Sequence, residues 1–144
     1  MIEFRKILCP VEFESNSVAA LDLAKSVALK YQAKLYLLNV ARIPAADMDA
    51  PVAISPHPHW ERVAYDRLKE IARENLGDDV SYELVVKDGI PESAILEAVT
   101  DLGIDLVVMA SHGRTGIAHL VMGSVAEEMM RTLPCPVMVV KPHK

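Results

Sequence analysis

Residues 104–125 read IDLVVMASHGRTGIAHLVMGSV and indicate the fold class of the whole chain. The run that ends at Ala110 is almost wholly aliphatic, as expected for a strand buried on both faces of a parallel sheet. A loop of small residues follows it, and a helical pattern begins at Ser124. A strand, a glycine-containing loop and a helix start in this order predict an α/β protein that binds a ligand where the strand ends.

The same two kinds of segment alternate along the rest of the chain. Five short segments are rich in Val, Ile and Leu: Phe4 to Cys9, Lys34 to Val40, Val80 to Val86, Ile104 to Ala110 and Pro136 to Val140. The segments between them carry apolar residues at helical spacing, including Leu23 and Val63. The clearest apolar stripe comprises Met122, Val125, Ala126, Met129, Met130 and Leu133. This alternation predicts one Rossmann-like domain over residues 1–144, an open parallel sheet with helices on both faces.

The start of the last helix is a candidate site for an anion. Ser124 and Glu127 have the spacing of a capping box. The unpaired N–H groups and the dipole of a helix start favour phosphate, and Gly113 and Gly123 would let it approach the backbone. Arg114 could add a positive charge. From the residues alone an alternative remains open, in which the glycines serve turns and Ser124 only caps the helix.

Composition and charge exclude several classes of protein. The chain has 144 residues, about half of them apolar, and a formal net charge of −5, so we expect no nucleic-acid binding. The apolar stretch near its start is too short and too charged for a signal peptide or a membrane span. We therefore expect a cytoplasmic protein. Cys9 and Cys135 fit no metal or redox spacing and are expected to stay unpaired. His57 and His59 are too few for a zinc site, so no metal site is predicted.

The segment from Ala41 to Pro58 is predicted to be irregular. It contains Pro44, Pro51, Pro56 and Pro58, and proline interrupts both helices and strands. The segment follows the second strand, at the sheet edge where α/β proteins bind ligands. A lid over the site and a solvated loop are both compatible with this sequence.

Two stretches of the chain resemble the universal stress protein family. One lies within residues 104–141 and reads IDLVVMASHGRTG, then GSVAE, then PCPVMVVK; the other is KILCPVEF at residues 6–13. The resemblance extends over essentially the whole chain. It implies a five-stranded sheet of order 3-2-1-4-5 and a homodimer. For a subset of members it also implies binding of ATP or AMP through the motif Gly-x2-Gly-x9-Gly-Ser/Thr.

The four positions of that motif fall on Ala110, Gly113, Gly123 and Ser124. The spacing matches in full, but alanine replaces the first glycine. Its methyl group could crowd a phosphate, and a left-handed backbone there would cost about 1 kcal/mol. Glu12 is a second departure, because ATP-binding members usually carry aspartate after the first strand. Glutamate keeps the charge and reaches one methylene further.

The resemblance implies a complete nucleotide site. The residues implied are Pro10, Val11, Glu12, Val40, Met109, Ala110, Gly113, Arg114, Gly123, Ser124 and Val125. Pro10, Val11 and Val40 would line the adenine pocket, and Mg²⁺ would accompany the nucleotide as its counter-ion. Without the resemblance these three residues are simply strand ends, and Glu12 is a solvated loop acid.

Three functions remain open from the sequence. The first is a nucleotide-binding regulatory protein of the stress response, holding ATP or AMP. The second is a dimeric interaction protein that binds no nucleotide, which the departures at Ala110 and Glu12 favour. The third is a slow ATPase or a phosphoryl or nucleotidyl transferase. No catalytic residue is predicted, because no general base accompanies a nucleophile. In each case we expect a homodimer through Val137–Val140, an apolar strand at the sheet edge.

Overall fold

The structure, a computed structural model, describes residues 1–13, 17–41, 58–111 and 122–141. Its strands are β1 (Lys6–Pro10), β2 (Lys34–Ala41), β3 (Tyr82–Asp88), β4 (Leu106–Ala110) and β5 (Val137–Val140). Its helices are α1 (Ser17–Tyr31), α2 (Pro58–Asn75), α3 (Pro91–Leu102) and α4 (Ser124–Thr132). The predicted alternation of strand and helix is confirmed, and strand ends differ from the prediction by at most two residues.

The five strands form one parallel sheet in the order β3-β2-β1-β4-β5, which confirms the predicted topology. The chain builds outward from β1 to β3 and then crosses back to β4 and β5, so the direction of winding reverses between β1 and β4. Main-chain pairing of β1 with β2 continues to Pro10 and Leu38, whereas pairing of β1 with β4 ends at Leu8 and Val107. The two strands therefore part toward their carboxyl ends, where a ligand crevice is expected.

Two apolar layers hold the helices on the two faces of the sheet. Under α1 and α2, the largest buried side chains are Ile7, Leu21, Leu35, Leu37, Leu68, Leu76 and Leu106. Under α3 and α4, they are Leu8, Leu38, Ile95, Val107 and Met129. Alternate residues of β1, β2 and β4 contribute to opposite layers, which explains why these strands read as continuous aliphatic runs. The flanking strands β3 and β5 are only partly buried.

The helix faces differ in part from those that the apolar spacing predicted. Leu23 and Val63 were expected in the core but are 37% and 54% exposed, and Met130 is 53% exposed. In α1 the buried large side chain is Leu21 instead, flanked by buried alanines. Small residues let α1 pack closely on the sheet, which leaves only a narrow buried stripe. An aliphatic residue one position off that stripe faces solvent.

No helix in the described ranges is both long enough and apolar enough to cross a membrane. The longest, α2, has 18 residues and carries charged side chains throughout its length, beginning with Glu61 in its first turn. Two of its apolar residues, Leu68 and Ala72, are fully buried against the sheet, as is Leu76 directly after the helix.

Candidate functional site

The start of α4 lies against the end of β4, at the edge where β1 and β4 part. The Gly123 N–H donates to the Ser111 carbonyl oxygen at 2.6 Å, although the two residues are far apart along the chain. The Ser111 N–H in turn donates to the Val140 carbonyl oxygen of β5 at 2.8 Å. Two main-chain hydrogen bonds through Ser111 thus connect the edge strand, the end of β4 and the helix start. They bring Ala110 and Ser124, predicted from motif spacing, to one place.

The helix begins one residue earlier than a capping box on Ser124 requires, so the predicted capping box is wrong. Gly123 is the N-cap, with extended backbone at φ −62° and ψ 151°, and no side-chain cap hydrogen bond forms. The first intrahelical bond runs from the Glu127 N–H to the Gly123 carbonyl oxygen at 3.0 Å. Ser124 is therefore the first helical residue. The cause is the main-chain bond from Gly123 to Ser111, which sets the turn into the helix without a side chain.

This helix start presents main-chain donors at the carboxyl edge of the sheet. The N–H groups of Ser124, Val125 and Ala126 precede the first intrahelical bond, so none of them has an acceptor within the helix. Ser124 is exposed and Val125 is half-buried. The helix dipole adds a partial positive charge at the same place. Gly123 carries no side chain that could cover these donors, and the three N–H groups can donate hydrogen bonds to an anion.

Ala110 has an ordinary backbone conformation. Among the described residues other than glycine, only Gln32 has a positive φ, so the methyl group of Ala110 imposes no backbone strain. Ala110 ends β4 half-buried, and it packs against the apolar layer under α1 and α2. The cost of a left-handed backbone, one of the two considered for the missing motif glycine, is therefore absent. The side chain of the preceding Met109 is buried in the opposite layer, under α4.

The chain leaving β1 forms the other side of the crevice. Pro10 is half-buried, and the Val11 side chain, 3% exposed, lies in the layer under α1 and α2. Glu12 is half-buried and its Oε2 atom is buried, so this carboxylate is more enclosed than a solvated loop acid. Val40, near the end of β2, is half-buried on the face of α3 and α4. Pro10, Glu12 and Val40 are therefore each half-buried at the strand ends.

Asn39 is a contributor to this edge that the sequence analysis did not single out. Its side-chain amide is buried and donates from Nδ2 to the Val11 carbonyl oxygen at 2.8 Å. The Val11 N–H donates to the Leu38 carbonyl oxygen, also at 2.8 Å. The signal for Asn39 was its position, because it is a polar residue within the apolar run of β2. Ser111 carried a similar signal in the sequence, since it is a polar residue that directly follows an apolar run. The structure shows that it is buried.

Some of the predicted features lie outside the described residues. These are Gly113, Arg114, His57 and most of the proline-rich segment, residues 42–57. His59 is in the first turn of α2 and exposed. Within the ranges that the structure covers, no three His, Cys, Asp or Glu side chains form a group that could hold a metal ion.

Neither cysteine is suited to act as a nucleophile. Cys9 and Cys135 are both unpaired, as predicted, with β4 lying between β1 and the segment that precedes β5. Burial raises the pKa of the Cys9 thiol to about 12. Partial burial and, secondarily, the nearby charge of Asp105 raise the pKa of Cys135. Both thiols are therefore protonated at neutral pH, and thiolate is the reactive form.

Known proteins resemble this chain along its full length. Residues 3–141 match the model of the Universal stress protein family. The chain is 29% identical over 151 residues to Universal stress protein MJ0531 of Methanocaldococcus jannaschii, with 98% of this chain and 84% of that protein covered.

Solved structures have the same fold. The structure of MJ0577, from the same organism, is 25% identical, with a TM-score of 0.82 and 99% of each chain covered. A universal stress protein in complex with cAMP is 22% identical, with a TM-score of 0.65 and coverage of 99% of this chain and 100% of that one, a likeness of fold alone. The match to the family model spans nearly every residue that forms the sheet and the site. This chain belongs to the universal stress protein family.

Proposed function

We propose that this protein binds an adenine nucleotide, ATP or AMP, and acts as a nucleotide-dependent regulatory protein of the stress response in the cytoplasm. The observation that carries the proposal is the hydrogen bond from Gly123 to Ser111. This bond brings the first N–H groups of α4, which have no acceptor within the helix, beside the point where β1 and β4 part. A helix start in this position supplies donors for phosphate next to a crevice that can hold a base and ribose.

The phosphates would bind to main-chain donors. Ser124 is exposed and Val125 half-buried, their N–H groups have no acceptor within the helix, and Gly123 has no side chain that would compete with phosphate oxygens. Gly113 and Arg114 complete the phosphate site in this proposal, by the motif spacing, and Mg²⁺ would bind with the nucleotide as its counter-ion. Selectivity for the phosphate chain would come mainly from the backbone, because it is preorganised by the fold.

The adenosine would bind on the opposite side of the crevice. Pro10 and Val40 supply accessible apolar surface at the ends of two neighbouring strands. Glu12 supplies a carboxylate that can accept hydrogen bonds from ribose hydroxyl groups. The relative solved with cAMP holds an adenine nucleotide, which supports testing this class of ligand first.

A homodimer through β5 is part of the same proposal. All four residues of Val137–Val140 are only half-buried, and they alternate between the two apolar layers of the sheet. An apolar strand at a sheet edge exposes unpaired main-chain groups that a second copy can satisfy. We expect a dimer mass by light scattering at tens of micromolar protein, and a monomer at that concentration would contradict it.

Calorimetry tests the nucleotide proposal directly. The protein is titrated with ATP, ADP, AMP and cAMP, with and without Mg²⁺, and with inorganic tripolyphosphate as a ligand that lacks adenosine. We expect saturable heat with ATP or AMP. No heat and no thermal shift at millimolar nucleotide would refute the proposal and favour a protein that acts through partners alone. Hydrolysis, if followed in the same samples, should be slow. Neither thiol is ionised, and the proposed site contains no other nucleophile paired with a general base.

A further inference from the structure

Asn39 is one of two polar residues that are buried in the part of the chain covered by the structure. It lies in β2 between Leu38 and Val40 and is 6% exposed, on a strand whose other buried residues are three leucines and a tyrosine. Burying an amide costs free energy unless its hydrogen bonds are replaced. A buried amide at this position therefore calls for a specific hydrogen-bonding role.

That role is to hold the chain as it leaves β1. Main-chain pairing of β1 with β2 ends at Pro10 and Leu38. Beyond it, the Val11 N–H still donates to Leu38, but the Val11 carbonyl oxygen receives the side-chain amide of Asn39 instead of a main-chain donor. Pro10 has no N–H and cannot contribute a donor of its own. Two hydrogen bonds, one from each strand, thus hold the peptide groups on both sides of the Val11 Cα.

Glu12 is the next residue, so its direction depends on these two bonds. A side-chain donor satisfies the Val11 carbonyl oxygen and lets the backbone turn away from the sheet, whereas a continued ladder would keep Glu12 in register with β2. The buried Oε2 atom of Glu12 is consistent with a carboxylate held in one orientation. We infer that Asn39 is a positioning residue: it orients Glu12 for adenosine through Val11, without contacting the nucleotide. This inference rests on the proposed nucleotide site.

The two halves of the proposed site are held by different contacts. The phosphate donors of α4 are held by a different contact, the bond from Gly123 to Ser111. Loss of the Asn39 amide should therefore weaken binding of adenosine and leave binding of phosphate unchanged. Loss of a residue that only stabilised the fold would weaken the binding of both kinds of ligand equally, or of neither.

The first experiment needs no nucleotide. Amide hydrogen exchange of Val11 and Glu12 is compared in the wild type, in Asn39→Ala and in the matched control Asn75→Ala. Asn75 also donates from Nδ2 to a main-chain carbonyl oxygen at 2.8 Å, that of Ile71, but at the end of α2. We expect exchange about fivefold faster in Asn39→Ala, as for the loss of one hydrogen bond, and no change at these amides in Asn75→Ala. Unchanged exchange in Asn39→Ala would overturn the inference, whether or not the protein binds nucleotide.

The second experiment measures affinity for AMP and for tripolyphosphate by calorimetry. We expect Asn39→Ala to weaken AMP binding about fivefold and to leave tripolyphosphate binding unchanged. In a Glu12→Ala background, Asn39→Ala should have no further effect on AMP, because it acts through Glu12. Asn39→Leu, which retains the buried volume, should reproduce the result if Asn39→Ala does not fold.

The outcomes separate this inference from the proposed function. Wild-type protein that binds AMP, together with an Asn39→Ala protein of equal affinity, would overturn the role of Asn39 alone. Equal loss of AMP and tripolyphosphate, or additive effects with Glu12→Ala, would do the same. Absence of AMP binding by the wild type would overturn the proposed function, and with it the role of Asn39 in recognition.

Discussion

The starts of α3 and α4 are built alike and differ in two residues. Each helix follows a parallel strand and begins at the carboxyl edge of the sheet. Each has an N-cap residue with extended backbone and no side-chain cap hydrogen bond. In α3 the N-cap and first helical residue are Ile90 and Pro91, whereas in α4 they are Gly123 and Ser124.

The difference separates an ordinary helix start from a candidate anion site. The N-cap of α3, Ile90, has a branched and exposed side chain, and Pro91 removes one N–H donor. Gly123 has no side chain, and Ser124 retains the N–H donor. The two helices also follow different strands, because α3 comes after the edge strand β3 and α4 after β4, next to the parting of the sheet. A helix start is thus not a site by itself, and the candidate site at α4 depends both on its N–H donors and on its position beside the crevice.

The largest expected effect comes from giving α4 the branched N-cap of α3. Gly123→Val should weaken AMP and ATP binding by more than about a hundredfold, since the side chain would occupy the space that a phosphate needs. The fold should survive, because the backbone at Gly123 (φ −62°, ψ 151°) suits any residue and Ile90 has a similar one (φ −88°, ψ 124°). Calorimetry and a urea melt measure both. Ile90→Val is the control and should bind as wild type; a Gly123→Val protein that binds normally would refute the phosphate site.

Glu12 lies on the other side of the crevice, opposite the start of α4, and the start of α3 has no such counterpart. Glu12→Ala should weaken AMP binding about tenfold and leave tripolyphosphate binding unchanged, because only the adenosine loses its hydrogen bonds to a carboxylate. Competition calorimetry with both ligands is the measurement. The control is Glu97→Ala, which removes an acid of α3 that pairs with Lys87 at 2.9 Å and should change neither affinity. Equal weakening of both ligands would place Glu12 outside adenosine recognition.

A proline in α4 reproduces the second feature of α3. Ser124→Pro should weaken binding of AMP and of tripolyphosphate about fivefold, since it deletes a single N–H donor. Stability should be retained, because proline is favoured at the first helical position and the preceding extended backbone accommodates it. The reciprocal change, Pro91→Ser, restores a donor to α3 and should create no new binding. Unchanged affinity in Ser124→Pro would show that this N–H group does not bind phosphate.

Ala110→Gly should have the smallest effect on binding. Because Ala110 already has an ordinary backbone conformation, glycine adds no freedom that the site needs, and AMP affinity should change by less than about twofold. Stability should fall by about 1 kcal/mol, from the loss of a packed methyl group and from greater chain entropy in the unfolded state. Calorimetry and urea unfolding provide the test. A gain of tenfold or more in affinity would mean instead that the methyl group crowds the phosphate.

The sequence predicted the strands well because buried parallel strands need long aliphatic runs on both faces. It predicted their ends less well, since an end depends on the partner strand. The strand β3 was expected to begin at Val80, but its pairing with β2 begins two residues later, where Tyr82 pairs with Leu35. The Leu35 N–H donates to the carbonyl oxygen of Ser81, the residue just before β3. Helix faces were partly missed for a similar reason. The spacing of aliphatic residues could not tell whether Leu21 or Leu23 would meet the sheet.

For the site, motif spacing located Ala110, Gly123 and Ser124 but not the contacts that arrange them. The capping box was misplaced by one residue because the N-cap is chosen here by a main-chain bond to Ser111. Asn39 was not identified, because its partner Val11 lies 28 positions away in the chain. Such partners are adjacent only once β1 and β2 have paired.

By itself the sequence determined the α/β class, the order of the elements and the family, because hydrophobic patterning and short motifs depend on residues that are close along the chain. The tertiary structure alone decided which helix start lies beside the parting of β1 and β4, and which residue caps it. It also brought the amide of Asn39 to the residue before Glu12. These features are hydrogen bonds between segments far apart in the chain, and their geometry exists only when the sheet has formed.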